Sequence, residues 1–379
     1  MRIAYVTTYD ARDIRSWSGT GHFMWRALQQ AGHEIDLVGP LDEGFSRLWD
    51  AKTRFYERVR HVRYERERQP WLQRHYARQV QAHLTGGRHD IVVSPGSIPV
   101  ARLPPGIPVV FWADATFAGM LGFNPSFTGL AAETIRDGNA SEQAALDRCS
   151  MAIYASEWAR GTALEHYRVD AAKLRVVGFG ANLLHEPDAT AVASAIEARP
   201  FDECRLLFVA VDWWHKGGDI AVAVTRELVR RGIRASLTVV GITPPPDTAD
   251  VARHAGYLDK RDPEQAARYE TLLAGSHFLI VPSRSEAYGL VYAEASAHGV
   301  PSLATRLGGI PSVVTDEVNG RLFEPGADPS TLADWIGSRL AKPEAYRALA
   351  RSSFEAYAAR LSWTVAGRAV SEMLHTLIA

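Results

Sequence analysis

Short runs of Val, Ile and Leu recur along the chain, and stretches with helical spacing separate them. In the first half they occupy 3–8, 34–38, 91–94, 109–112, 152–155 and 174–177. In the second they occupy 206–210, 237–240, 278–282, 302–305 and 322–323. An unbroken apolar run between helical segments suits a strand buried on both faces, as in a parallel sheet. The series appears twice. The pattern therefore predicts two Rossmann-like, doubly wound α/β domains, with ligands at the carboxyl ends of their strands. The seam is expected in "GFGANLLHEPDATA", 178–191, where glycines, Asn182 and Pro187 interrupt the periodicity. This divides the chain into 1–183 and a second domain from 184.

Length agrees, since 379 residues exceed one ordinary core and suit two. The hydrophobic share of 46% is that of a globular chain. Lys and Arg against Asp and Glu give 42 − 43 = −1, so no overall field draws nucleic acid. Cys149 and Cys204 fall in different halves and match no metal spacing, as expected of inert thiols in a reducing compartment. The start "MRIAYVTTYD" runs directly into a strand, and no apolar run approaches the ~20 residues that span a bilayer. A cytoplasmic protein is expected. One segment differs: 47–80 carries ten Lys/Arg against four acids, interleaved with Trp49, Phe55, Tyr56, Tyr64, Trp71 and Tyr76. Either it is a solvated helical face whose aromatics pack on the sheet, or it makes weak peripheral contact with an anionic membrane or acceptor.

The richest chemistry lies in "VPSRSEAYGLVYAEASAHGVP", 281–301. Gly289 lets a ligand approach the backbone, and a helix starting near Leu290 offers the N–H groups of Leu290 and Val291 to an anion, phosphate above all. Glu294, four residues on, can accept the hydroxyls of a ribose, and Glu286 can reach a polyhydroxyl group beyond the phosphates. A nucleoside-diphosphate sugar presents those features in that order. A chance pair of surface glutamates has the same spacing.

The segment "SRSEAYGLVYAEASAHGVPSLATRLGGIPSVV" resembles the acid–glycine–acid motif of family 4 of the retaining glycosyltransferases, which have the GT-B fold. "WSGTGHFMWRAL" (17–28), "VVGFGAN" (176–182), "WHKGGD" (214–219), "HAGYLDK" (254–260) and "NGRLFEP" (319–325) follow in the order of that family's comparable segments; 41–89 has no counterpart. The resemblance implies two Rossmann-like domains facing a central cleft: an acceptor domain (1–183), a donor domain (184–358) and a terminal helix (359–379) crossing back to the first. It implies transfer of a hexose from a UDP- or GDP-sugar to an acceptor hydroxyl with retention, without a metal cofactor. Glu286 resembles the acid at the donor sugar, Glu294 the ribose ligand and Lys216 the lysine that clamps the diphosphate, with Tyr288 inside the motif. Tyr257 and Lys260 stand where the family holds the base, and Gly19 and Gly21 resemble the glycine loop under the phosphates.

Two departures stand out. Val211 and Asp212 replace an arginine before the clamp lysine, and Ala113 and Asp114 replace a histidine after the fourth strand. Asp114 either takes over the histidine's orienting role or caps the next helix, while His22 or Arg284 can supply the missing groups. No Asp-x-Asp pair ends a strand, and His and Cys do not cluster in the sequence. Arg- and Ala-rich usage is associated with high-GC bacteria, where envelope polysaccharide or glycolipid assembly is common. A sugar-nucleotide epimerase and a non-catalytic sugar-nucleotide-binding subunit are the alternatives.

Overall fold

The computed structural model of the chain describes residues 1–44 and 46–378. Phe45, within 41–89, and Ala379, the end of the expected terminal helix, lie outside the described residues, as do the side chains of Ser46, Arg47 and Leu48. The chain forms two compact units, Met1–Phe179 with Ala366–Ala379, and Gly180–Val365.

Each unit is built on a parallel six-stranded sheet. In the first, β1 (Arg2–Val6), β2 (Glu34–Val38), β3 (Ile91–Ser94), β4 (Val109–Ala113), β5 (Met151–Tyr154) and β6 (Leu174–Val176) lie in the order β2-β1-β3-β4-β5-β6. In the second, β7 (Cys204–Ala210), β8 (Ala235–Gly241), β9 (Ala252–Gly256), β10 (Phe278–Val281), β11 (Ser302–Thr305) and β12 (Gly320–Phe323) lie in the order β12-β11-β10-β7-β8-β9. All eleven apolar runs are strands. The twelfth, β9, has the sequence ARHAG and escapes the pattern because it is an edge strand with Arg253 and His254 exposed. The strand order reverses between β1 and β3 in one sheet and between β10 and β7 in the other. At such a point the connections leave in opposite directions and open a crevice at the carboxyl ends.

The segment 41–89 contributes two helices, Ser46–Val59 and Pro70–Thr85. Leu72, Tyr76, Ala77 and Val80 of the second pack into the core of the first unit with Val6, Phe111 and Tyr154. Polar residues of the segment are stitched to the helix Ala132–Arg148. There Glu133, Asp137 and Ser141 recur every four residues, so they line one face. Lys52 donates to Glu133 at 2.6 Å, Gln69 to Asp137 at 2.6 Å, and Gln73 to Ser141, while Arg68 lies 3.7 Å from buried Glu142. Arg66 pairs with Glu43 and Asp50. Several of the basic residues thus answer acids of the same unit, and most of the aromatics pack. Phe55 and Val59, one helical turn apart, remain 52% and 61% exposed beside exposed Arg54 and Arg58.

Both cysteines are free and buried, and burial pushes their thiols well above the usual range, to about 12 for Cys149. Trp363, at the start of the helix Trp363–Ile378, is buried and donates from Nε1 to Asn182 Oδ1 at 2.8 Å. Among the described residues, no helix is long and apolar enough to cross a membrane.

Candidate functional site

In the second unit the residues with chemistry gather where the strand order reverses. The connection leaving β7 carries Lys216 into the helix Gly218–Arg230, and the one leaving β10 carries Glu286 into the helix Leu290–Ala297. Because β7 and β10 are hydrogen-bonded neighbours, these connections lie side by side. Lys216 Nζ donates to Glu286 Oε2 at 2.5 Å. Two glycines allow that approach. Gly217 has φ +76°, and a Cβ there would lie 2.3 Å from the Pro282 carbonyl oxygen; Gly289 has φ +95°, and its Cβ would enter the Tyr292 ring. L-residues rarely adopt either conformation, so glycine serves twice over.

The helix Leu290–Ala297 explains why its acid sits inside. Tyr292–Ala297 are buried on every side, and Ala293, Ala295, Ser296 and Ala297 are small enough for close packing. Leu290 and Val291, at the open end, are half-buried. The first N–H groups of any helix lack partners within it, so they face the crevice as donors. Glu294 is buried and therefore needs compensation. Lys260 Nζ and the Tyr269 hydroxyl each donate to it at 2.6 Å, and Lys260 also donates to the Asn182 carbonyl at 3.2 Å. Burial and the adjacent Glu294 hold the Tyr269 hydroxyl well above its ordinary pKa, so it remains a donor.

The two glutamates thus face different lysines. Tyr269 escaped the sequence reading because it lies 25 positions from Glu294 outside every motif, and Asn182 was read only within the seam and the segment 176–182, with no site role. Tyr257 is 65% exposed, and Tyr288 is buried. Arg284 is committed elsewhere: it makes two hydrogen bonds to Asp219, at 2.8 and 2.7 Å, donates to the Trp214 carbonyl and stacks 3.9 Å over the Trp214 ring. Asp212, which stands in place of the arginine, accepts from the His215 amide and meets its ring at 2.9 Å.

In the first unit, Gly19 (φ +83°) precedes the helix Thr20–Gln30, and the Gly21 carbonyl accepts from the Tyr5 hydroxyl at 2.8 Å. Trp17 and Ser18 before it also have positive φ, at 47° and 54°. Such backbone strain collects at functional loops, and composition gives no sign of it. The His22 ring meets those of Phe23 and Trp25 edge-on, and burial with nearby Arg26 lowers its pKa. Asp114 follows β4 and faces Tyr9, whose pKa burial and that carboxylate raise. Its capping role is corrected: the next helix is Phe117–Met120, and Thr116 caps it by accepting from the Gly119 amide. Histidines that stand apart in the sequence also meet. Folding brings Asp36, His83 and His89 together, outside the two crevices.

Two family descriptions match the chain: "Glycosyltransferase Family 4" over residues 23–183 and "Glycosyl transferases group 1" over residues 203–342. A D-inositol 3-phosphate glycosyltransferase of Segniliparus rotundus is 33% identical over 215 residues, covering 54% of this chain and 47% of that protein. Its counterpart from Acidothermus cellulolyticus is 32% identical over 241 residues, covering 60% and 52%. The chain thus spans about half the length of the curated relatives it matches. Among solved structures, sucrose-phosphate synthase from Thermosynechococcus elongatus superposes with a TM-score of 0.70 at 18% identity, covering 100% of this chain and 99% of that one. Anabaena HepE in complex with UDP-glucose gives 0.63 at 16%, covering 99% and 100%. At that identity the likeness concerns the fold.

Proposed function

This chain belongs to family 4 of the glycosyltransferases, and on that premise we propose that it moves a hexose from a nucleoside-diphosphate sugar to an acceptor hydroxyl with retention of configuration. The observation that carries the reading is the convergence of Lys216, Glu286 and the first amides of the helix Leu290–Ala297 on one crevice, with Glu294 set four residues inside. In this assignment the helix amides and Lys216 receive the diphosphate, and their fixed positive charge stabilises it as it departs. Glu294 accepts the ribose hydroxyls, its orientation set by Tyr269 and Lys260. Glu286 accepts hydroxyls of the donor sugar. The leaving phosphate takes the proton of the incoming hydroxyl on the face it vacates, which keeps the anomeric configuration. Asp114 orients a reacting hydroxyl. No metal cofactor enters this assignment.

A thermal-shift panel of UDP-, GDP-, ADP- and TDP-sugars tests it. A ligand at about 100 times Kd stabilises by ~2.7 kcal/mol, so one nucleotide should stand apart. UDP-glucose heads the panel because HepE is described with it. Inositol phosphates belong among the acceptors because the curated relatives are named for one. The Glu294→Ala variant should lose most of the shift. A panel in which no nucleotide sugar stabilises the wild type refutes the assignment. Conversion of the donor alone to an epimer, without an acceptor, supports an epimerase instead.

Envelope polysaccharide or glycolipid assembly is the proposed setting, with peripheral contact through 47–80. The exposed Phe55 and Val59 beside Arg54 and Arg58 suit an anionic surface, since the apolar pair can insert while the arginines meet headgroups. Weak cosedimentation with anionic liposomes is expected, abolished by salt and by Phe55→Ser with Val59→Ser. No cosedimentation at low ionic strength returns the segment to a solvated face.

A further inference from the structure

We propose that Asp36, His83 and His89 form a binding site for a divalent transition-metal ion of the zinc class, separate from the sugar-nucleotide crevice. The three come from different elements of the first unit: the middle of edge strand β2, the last turn of the helix Pro70–Thr85, and the connection entering β3. Asp36 Oδ2 meets His83 Nε2 at 2.9 Å and His89 Nε2 at 2.8 Å, and the ligand atoms of all three lie within 4.8 Å of one another. A four-coordinate zinc ion holds N and O ligands at ~2.0–2.1 Å, which places them about 3.3 Å apart. Opening the present clasp by roughly half an ångström therefore makes room for the ion.

The donor set selects the ion. Two imidazoles and one carboxylate suit zinc, cobalt or nickel, whereas magnesium and calcium prefer oxygen alone. The His89 side chain is almost fully buried and anchors the cluster, while Asp36 and His83 are partly exposed and leave the remaining position open to water. His83 stands at a helix C-terminus, where the backbone dipole favours positive charge. Arg2 is the competing cation, 3.9 Å from Asp36, and it has a second partner in Glu34 at 3.4 Å. It can keep Glu34 when an ion takes the carboxylate. A bound ion would tie β2, the helix and the approach to β3 together, fastening the end of the 41–89 segment to the sheet edge.

Isothermal titration of the full chain, stripped with chelator and carrying no histidine tag, tests the site with zinc and then cobalt. One ion per chain is expected, with a rise in Tm. His83→Ala, a change at a partly exposed position, should weaken binding at least ~10-fold, the scale seen when even the outer contacts of a metal ligand are disturbed. Asp36→Asn should do the same. The cobalt form of the wild type should show the visible absorption of a four-coordinate site, lost in both variants. Failure of either ion to bind the wild type, or equal affinity in folded His83→Ala and Asp36→Asn, overturns the proposal.

Discussion

Lys216→Ala is expected to lower kcat/KM for sugar transfer at least ~100-fold, and Glu286→Ala by a comparable factor. The proposed reaction develops charge on a departing diphosphate, and Lys216 is the cation that the β7 connection delivers to the reversal point. Because that charge grows toward the transition state, kcat should fall along with kcat/KM. Glu286 holds Lys216 at 2.5 Å, so each substitution also removes the other's partner. The double variant should consequently be much less than the product of the single losses. Lys216→Arg keeps the charge on a longer, planar group and should fall between wild type and alanine. Steady-state rates of nucleotide release, with circular dichroism as the check on folding, decide the matter. Folded single variants that retain wild-type kcat/KM would remove both residues from the reaction.

Arg199→Leu should destabilise the second unit by about 3–5 kcal/mol, the combined scale of several buried acceptors left without a donor. The Arg199 guanidinium is buried and donates to the carbonyls of Ala274, Gly299 and His298 and to the Tyr346 hydroxyl. Tyr346 in turn donates to the His277 carbonyl at 2.9 Å. Removing the side chain leaves several buried oxygens without a donor, and each unmet group costs about 1–3 kcal/mol, non-additively. His298 and Gly299 follow the helix Leu290–Ala297, so the same arginine secures the far end of the element whose first amides form the candidate site. Burial, with Arg199 adding to it, holds His277 and His298 down at about 4, so both are neutral near neutral pH and add no charge to this interior. Urea unfolding monitored by circular dichroism measures the loss. A midpoint within error of wild type would mean that water or relaxation supplies the missing donors.

Much of the molecule was legible in one dimension because burial on both faces of a parallel sheet demands unbroken apolar runs. Eleven strands, the two-sheet plan, the helix start at Leu290 and the glycine before it all follow from local pattern. β9 did not, because an edge strand faces water and needs no such run. Of the two roles open to Asp114, the cap fails because Asp and Thr are both good N-caps and the backbone turns helical at Phe117, two residues later than expected.

The sequence by itself determined which residues could do chemistry near each strand end, since strand, loop and helix are contiguous stretches governed by local sterics and burial. Only the tertiary structure decided how those residues are partnered. Lys216 meets Glu286 across 70 positions and Lys260 meets Glu294 across 34, while Asp36 gathers two histidines from 47 and 53 positions away. Such meetings depend on strand order, which no local pattern encodes, and on the cost of burying a carboxylate such as Glu294 without a donor to meet it.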